Sequence, residues 1–447
     1  MTKLDAEHSK LREGLPRFAA KLLRGRPAAV AYLGGSITEG AGASVTDETS
    51  WRALNGRFLR ERFGDTAWTF INAGVGGTTS TFGAHRLRAH VLDRGPVDLL
   101  FVEFSVNDGD DRDESIRGME GIVRQCRRLS PETELVFVYT AADKNLTDGV
   151  PFNIAIHEEV AAHYGIPSVS FAGGVRDRIR AGETAWEELA PDRVHPNDEG
   201  HALYASYANA FLERAVTAAA EAAEAGERGH DLAPAEIPSA AVGPADGQPA
   251  SGAAIREAEA RADLALPPKT ETAAGDGDGD NGDGDVVSAD GGGEALPADG
   301  LPVPLDARNY EFATMADLGQ GVLVDGFAPA ELGPDDPLMN WRFATVHLAA
   351  AGSGGERLSF AIAGRRAGIV LLHGPDSGIL EYSLDGGESF TEVNVFDEWC
   401  PLAYRPILVP FPFQPERKLQ QVTIRCTGTK DARSNGTGIR VMKLLSS

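Results

Sequence analysis

A chain of 447 residues, 42% of them hydrophobic, has material for two or three domains with cores of their own and is no small disulfide-stapled scaffold. Its formal charge of −24 repels phosphates and no basic stripe interrupts it, which excludes nucleic acid as a partner; no apolar run reaches the roughly 18 residues of a membrane span. The three cysteines, Cys126, Cys400 and Cys426, are odd in number and far apart, so they point to neither a disulfide framework nor a CxxC metal site and suit a reducing compartment.

Residues 1–26 are charged and mildly amphipathic and lack the uninterrupted apolar core of a signal peptide, so they read as an N-terminal helical extension of a cytoplasmic protein. From residue 27 to 220, strand-like apolar runs alternate with helical patterns. The first run, Ala28 to Leu33, lies between Pro27 and Gly34 and has the continuous apolar character of a strand covered on both faces. It ends in Gly34-Gly35-Ser36-Ile37-Thr38, where two glycines allow a sharp turn into a helix. Ser36 then has two readings. It is a helix cap, or it is a nucleophile whose developing oxyanion meets free backbone N–H groups and the positive end of the helix dipole. Further runs follow at Trp68 to Asn72, Val97 to Phe104, Glu134 to Thr140 and Ile166 to Phe171, with helical spacing between them at Trp51, Leu54, Phe58 and at Ile116, Met119, Val123. Five strands alternating with helices predict an α/β fold, a flavodoxin-like doubly wound parallel sheet of order 2-1-3-4-5, with ligands at the carboxyl ends beside strand one.

In that order the loops Asn72 to Thr78 and Ser105 to Gly109 flank the loop that carries Ser36. A glycine turn can aim a backbone N–H at a substrate, and an Asn amide is a neutral donor, so Ser36 N–H, Gly77 N–H and the Asn107 side chain form a candidate oxyanion hole. Read singly, each loop is an ordinary turn. The last element, Pro191-Asp192-Arg193-Val194-His195-Pro196-Asn197-Asp198, offers His195 as the base that serine needs and Asp192 as the group that orients it, with Asn197 or Asp198 left to cap the following helix. Its alternative is a capped loop with a surface histidine. His195 and His201 lack the i, i+4 spacing of a zinc helix, and no metal is expected. Nucleophile, donors, orienter and base occurring in order favour a hydrolytic site.

Residues 221–300 hold 18 acidic and 4 basic residues, a net of −14, and no aromatic side chain. That composition predicts a disordered Gly/Ala/Asp/Pro linker acting as a spacer. Its Gly275–Asp283 repeat resembles a calcium loop only superficially, since Asn281 and Val287 stand where Gly and Glu are required. From 301 to 447 the period changes to two: Trp341–Leu348, Arg357–Ala363, Gly368–Leu372, Ile379–Leu384, Lys418–Cys426 and Gly438–Leu445 are short β-type runs, and Asp385-Gly386 is a hairpin turn. They predict an antiparallel sandwich of jelly-roll type. Trp341, Trp399, Tyr382 and Tyr404 are either core or platforms for pyranose faces, and His373 and Arg405 are the polar candidates for substrate binding.

With these residues in view, the stretch from 27 to 215 resembles the SGNH (GDSL-like) hydrolases. Ser36 matches the nucleophile of the family's first block, Gly77 the glycine of the second, Asn107 the asparagine of the third, and Asp192 and His195 the Asp-x-x-His of the last. Gly35 replaces the usual Asp of the signature, and Ser105 stands where Gly is typical. The resemblance implies deacylation through an acyl-serine intermediate with no cofactor. The Gly-Gly-Ser-Ile-Thr variant is similar to proteins acting on acylated carbohydrates, and Leu372-His373-Gly374-Pro375-Asp376-Ser377-Gly378 is similar to the jelly rolls that accompany it. The expected function is an esterase removing small acyl groups, acetyl above all, from a small-molecule or oligosaccharide ester. The alternatives are a lysophospholipase or thioesterase for longer chains, or an inert carbohydrate-binding protein.

Overall fold

The computed structural model describes residues 8–64, 67–231, 300–319, 322–333 and 346–447. Two compact units divide the chain, Met1–Glu227 with Leu296–Ser447, and Arg228–Ala295. Most of the expected linker, the Gly-Asp repeat within it, and Trp341 lie outside the described residues. Everything below concerns the first unit.

Its first layer system is built from β1 (Ser9–Lys10), α1 (Pro16–Leu23), β2 (Ala29–Gly34), α2 (Ser36–Glu39), α3 (Trp51–Phe63), β3 (Thr69–Gly74), α4 (Ser80–His90), β4 (Leu99–Glu103), α5 (Arg112–Leu129), β5 (Glu134–Tyr139), α6 (Phe152–His163), β6 (Ser168–Ser170), α7 (Phe171–Arg180), α8 (Trp186–Leu189) and α9 (Asp198–Asp231). The sheet runs β1-β6-β5-β4-β2-β3, with β2 to β6 parallel, so the five parallel strands stand in the expected order 2-1-3-4-5. Every residue of β2, β4 and β5 is buried, which is why these strands read as unbroken apolar runs, whereas β3 at the edge is partly exposed. Tyr32 of β2 stacks on Phe101 of β4 at 5.4 Å, and Trp51 meets both rings edge-on; the Tyr32 hydroxyl is satisfied by Asn55 at 2.8 Å.

The N-terminal segment differs from a purely helical extension. Ser9–Lys10 pairs antiparallel with β6 and closes that sheet edge, and Phe18, Ala19 and Leu22 of α1 are core residues. At the other end, α9 continues past residue 220 because Ala218 to Ala225 is almost all Ala and Glu, strong helix formers whatever follows them. Among the described residues no helix is long and apolar enough to cross a membrane.

The second layer system is an antiparallel β-sandwich: β7 (Thr314–Asp317), β8 (Leu323–Asp325), β9 (Ala328–Glu331), β10 (Val346–Ala350), β11 (Arg357–Gly364), β12 (Ala367–His373), β13 (Leu380–Ser383), β14 (Thr391–Val393), β15 (Arg405–Pro410), β16 (Lys418–Cys426) and β17 (Ile439–Ser446). One sheet is ordered β15-β12-β17-β10-β9, with β7 also on β17, and the other β14-β13-β16-β11-β8. β12 is buried along its whole length because it is covered twice. Ile369 and Leu371 enter the sandwich core, and Val370 and Leu372 pack with Val75 and Phe82 of the α/β layer.

Polar contacts reinforce that junction. Glu114 of α5 accepts Arg366 at 3.0 Å through each of its oxygens, the Tyr310 hydroxyl at 2.6 Å and the Thr81 hydroxyl at 2.9 Å. Burial works to raise its pKa, but Arg366 and these hydroxyls outweigh that and hold the carboxyl low. Arg117 pairs with Asp306 and Arg124 with Glu311, each at 2.7 Å, so the chain that re-enters after residue 300 is strapped along α5.

Candidate active site

β2 delivers Ser36 at the carboxyl edge of the sheet, beside its neighbours β3 and β4. The one-turn helix α2 begins at Ser36 itself, with Gly35 as its N-cap. Ser36 Oγ lies 2.8 Å from His195 Nε2, and His195 Nδ1 lies 2.6 Å from Asp192 Oδ2. The carboxylate partner puts the ring proton on Nδ1 and leaves Nε2 to accept from the serine. Asp192 Oδ1 in turn accepts the N–H groups of Val194 at 3.0 Å and His195 at 2.7 Å, a tight turn made possible by Arg193 at φ +68°. Burial acts to raise the Asp192 carboxyl, but the backbone and ring N–H of His195 and the N–H of Val194 outweigh it and hold it below the usual carboxylate range.

Gly77 and Asn107 line the same cleft as Ser36 and His195. The Gly76 N–H is taken by Glu39 Oε2 at 2.8 Å, while the Gly77 N–H has no acceptor among the described residues. Gly77 is favoured as glycine by its backbone conformation, and it lies close to Arg405. Its φ is +70°, and a Cβ there would lie 2.9 Å from an Arg405 nitrogen. Gly35 explains the departure from the usual signature: a Cβ on it would fall 2.0 Å from Asn107 Oδ1. Gly35→Ala is therefore expected to displace the Asn107 amide and lower kcat by about 10²- to 10³-fold, as does loss of one oxyanion donor. The check is a kinetic comparison of Gly35→Ala, Asn107→Ala and the double variant; a fully active Gly35→Ala would show that the contact does not matter.

Several participants were not visible in the sequence. Asp108, read there only as part of a turn, is buried and accepts Ser80 N–H at 2.8 Å, Ser80 Oγ at 2.7 Å, Ser115 Oγ at 2.8 Å and His157 Nε2 at 2.9 Å, which ties the Asn107 loop to the start of α4. Glu39, Lys144 and Arg193 also line the cleft, and Lys144 Nζ donates to the Asp108 carbonyl at 3.0 Å. Glu39 stands one helical turn from Ser36, a spacing that could have flagged it; for His157 no sequence signal exists. Asn197 caps α9 through the Gly200 N–H at 3.0 Å, whereas Asp198 holds the loop between α2 and α3 at Ser44 and Thr49. Among the described residues no group of three or more His, Cys, Asp or Glu side chains is placed to hold a metal.

His201 is a buried strut. Its Nδ1 accepts the Trp51 N–H at 3.2 Å, so its Nε2–H donates to the Ala41 carbonyl at 3.1 Å, and burial pushes its pKa down to about 4. The folded pKa lies below the unfolded one near 6.5, so between pH 6.5 and about 4 the unfolded chain binds a proton that the folded chain does not. Stability then falls as pH falls through that window, by up to about 3 kcal/mol for this one group. Urea unfolding at pH 7 and pH 4.5 should show a smaller drop for His201→Gln than for the wild type, and equal drops would remove His201 from the account.

The cleft has a volume of about 810 Å³, and its far wall is Trp399, Leu402, Ala403 and Arg405 of the sandwich. Arg405 is fixed by an ion pair with Asp397. The other candidates of the β region are elsewhere. His373 does not line the cleft; at the end of β12 it is the cross-strand partner of Arg405, its ring stands 5.9 Å from Phe396, and burial pushes its pKa down to about 4. Tyr382 stacks on Phe411 at 4.3 Å inside the sandwich, and Tyr404 packs with Val75 and Phe82 while donating to Asp376 at 2.9 Å. Asp376 of the Leu372–Gly378 segment is bound by Arg440 at 2.9 and 2.6 Å, a structural clasp.

Residues 32–203 match the model of the GDSL-like lipase/acylhydrolase family. This stretch belongs to that family. The GDSL-like domain makes the chain an ester hydrolase, and Ser36, Asn107 and His195 all fall within the matched residues. A crystal structure of a two-domain esterase active on acetylated mannans, co-crystallised with mannopentaose, is similar over 100% of this chain and 98% of that one, with TM-score 0.70 and 21% identity; a second crystal structure of a two-domain esterase active on acetylated mannans gives 100%, 99%, 0.70 and 21%. At that identity the likeness speaks for the fold. Axe2, an acetylxylan esterase from Geobacillus stearothermophilus, is similar at 18% identity over 42% of this chain and 94% of its own, with TM-score 0.36. No curated protein gives a significant sequence match.

Proposed function

We propose that the chain is a serine esterase that removes small acyl groups, acetyl in the simplest case, from oligosaccharides. The observation that carries this is the hydrogen-bonded series Ser36–His195–Asp192 opening into a cleft whose opposite wall comes from the sandwich. Ser36 Oγ attacks the ester carbonyl as its proton passes to His195 Nε2, and Asp192 holds the ring and steadies the imidazolium. Ser36 N–H, Gly77 N–H and the Asn107 amide meet the tetrahedral oxyanion. The sugar oxygen leaves with the proton from His195, and water then repeats the sequence on the acyl-serine.

Support for a carbohydrate comes from two sides. Trp399 is half exposed in the cleft and can stack on a pyranose face, with Arg405 beside it as a donor to ring hydroxyls. The esterase of the same two-domain fold acts on acetylated mannans. The three cysteines are all free, which suits a cytoplasmic location.

The test is acetate release from acetylated manno- and xylo-oligosaccharides, run beside a p-nitrophenyl ester series from C2 to C10. Turnover should be highest at C2, and Trp399→Ala should raise KM for the oligosaccharide about fivefold to tenfold, the equivalent of one aromatic stack. Rates that climb towards C10, or no release from any acetylated sugar, would replace this reading with a long-chain acylhydrolase.

A further inference from the structure

Two buried side chains, a guanidinium and a carboxyl, meet the peptide unit that precedes Ser36. Arg86, on α4, has no solvent exposure. Its guanidinium donates to the Gly34 carbonyl at 2.8 Å, to the Ala73 carbonyl, and to the Thr78 hydroxyl at 3.4 Å, and its Nε has no partner. Glu103, at the end of β4, is just as buried. Its carboxylate accepts the Thr38 hydroxyl at 2.9 Å and the Thr140 hydroxyl at 2.7 Å, and the Gly35 N–H faces it.

The Gly34 carbonyl and the Gly35 N–H belong to one peptide unit, which is trans and so points them in opposite directions. Its oxygen is aimed at the Arg86 guanidinium and its N–H at the Glu103 carboxyl, whose pKa burial raises above the usual carboxylate range against the lowering effect of the Thr140 and Thr38 hydroxyls and the Gly35 N–H. Rotating that unit by half a turn would set the carbonyl against the carboxylate and the N–H against the guanidinium. Glycine on both sides leaves the unit without a Cβ to restrict φ and ψ, and besides the two side chains it is held by the Val75 N–H, which donates to the Gly34 carbonyl at 3.0 Å. Apolar side chains would fill this space without the desolvation penalty of a buried guanidinium and carboxyl, so their presence calls for a gain in conformational specificity.

We propose that Arg86 and Glu103 are positioning residues for Ser36, a buried donor and a buried acceptor that clamp the 34–35 peptide in the orientation that presents the Ser36 hydroxyl to His195. The inference rests on Ser36 being the nucleophile. Neither residue touches substrate. Arg86 has a second hold through Ala73 and Thr78, which ties the loop of Gly77 to the loop of Ser36 and so sets the spacing of two proposed oxyanion donors.

The experiment uses the full chain carrying Glu103→Gln, Arg86→Met or Arg86→Lys. It reads kcat and KM on p-nitrophenyl acetate, the rate of fluorophosphonate labelling with the labelled residue identified by mass spectrometry, and urea unfolding. Glu103→Gln keeps the shape and replaces one acceptor oxygen with an NH₂; Arg86→Lys keeps the charge but cannot span both carbonyls. We expect kcat and labelling rate to fall together by about 10- to 100-fold in Arg86→Met and Glu103→Gln, the scale set by a small misplacement of a reacting group, with KM within about twofold. Arg86→Lys should recover part of the loss. Wild-type kcat and labelling rate accompanied only by lower stability would overturn the proposal and leave the pair a packing role. If Arg86→Met does not fold, the other two variants decide by the same criterion. Wild-type protein that fails to label at Ser36 would instead defeat the nucleophile assignment, so the two failures are told apart.

Discussion

Ser36→Ala is expected to lower kcat for p-nitrophenyl acetate by about 10⁵-fold or more while leaving KM almost unchanged. The substitution removes the oxygen proposed to attack but none of the other groups that line the cleft, so ground-state binding survives and the covalent route does not. The residual rate, above that of water, reflects oxyanion donors and binding that remain in place. Labelling by a fluorophosphonate should vanish in the same variant. The measurement is steady-state kinetics with the released p-nitrophenol followed at saturating ester. Turnover within tenfold of the wild type would place the nucleophile elsewhere.

Asp192→Asn is expected to lower kcat by about 10⁴-fold with the fold intact. The reason lies in how the carboxylate is used. One oxygen is held by the backbone N–H groups of Val194 and His195, and the other receives the His195 ring proton. An amide in that position must keep its oxygen on the two backbone donors, which turns its NH₂ towards Nδ1. The ring then carries its proton on Nε2 and can no longer accept from Ser36. Asp192→Ala removes this enforced error, so it should be no slower than Asp192→Asn, and a much faster Asn variant would contradict the tautomer argument. For the wild type, the depressed pKa of Asp192 keeps it charged down to acid pH, and its contribution to stability, present above its unfolded pKa, is lost only as pH falls through the lower folded value.

What could be read in the chain before folding was whatever is encoded locally. The apolar runs of β2, β4 and β5 were plain because both faces of those strands are covered, and the alternation with helices led directly to the strand order. The Gly-rich turns and the Asp-x-x-His turn were plain because each needs particular residues within a few positions. β15 escaped notice because Pro406 and Pro410 argue against a strand. It is an edge strand, where a missing N–H is tolerated. β7, β8 and β9 are short and largely exposed, so no alternation marks them. Among the β-region candidates, Trp399 and Arg405 reach the cleft and His373, Tyr382 and Tyr404 do not. An aromatic or histidine in a period-two run carries no sign of which face meets a core and which meets a substrate.

Sequence alone determined that Ser36 stands at a strand-to-helix turn, that glycine and asparagine loops follow two neighbouring strands, and that a histidine with an aspartate three residues before it precedes the last helix. These are properties of backbone conformation and short-range hydrogen bonding, which depend on near neighbours. Only the tertiary structure decided that Asn107 excludes a side chain at Gly35, that Asp108 and His157 brace the Asn107 loop, that the 34–35 peptide lies between Arg86 and Glu103, and that the sandwich supplies the far wall of the cleft. Those contacts join residues that are distant in the chain, and their meaning comes from burial, where a charge or an amide counts for what stands opposite it in a region without water.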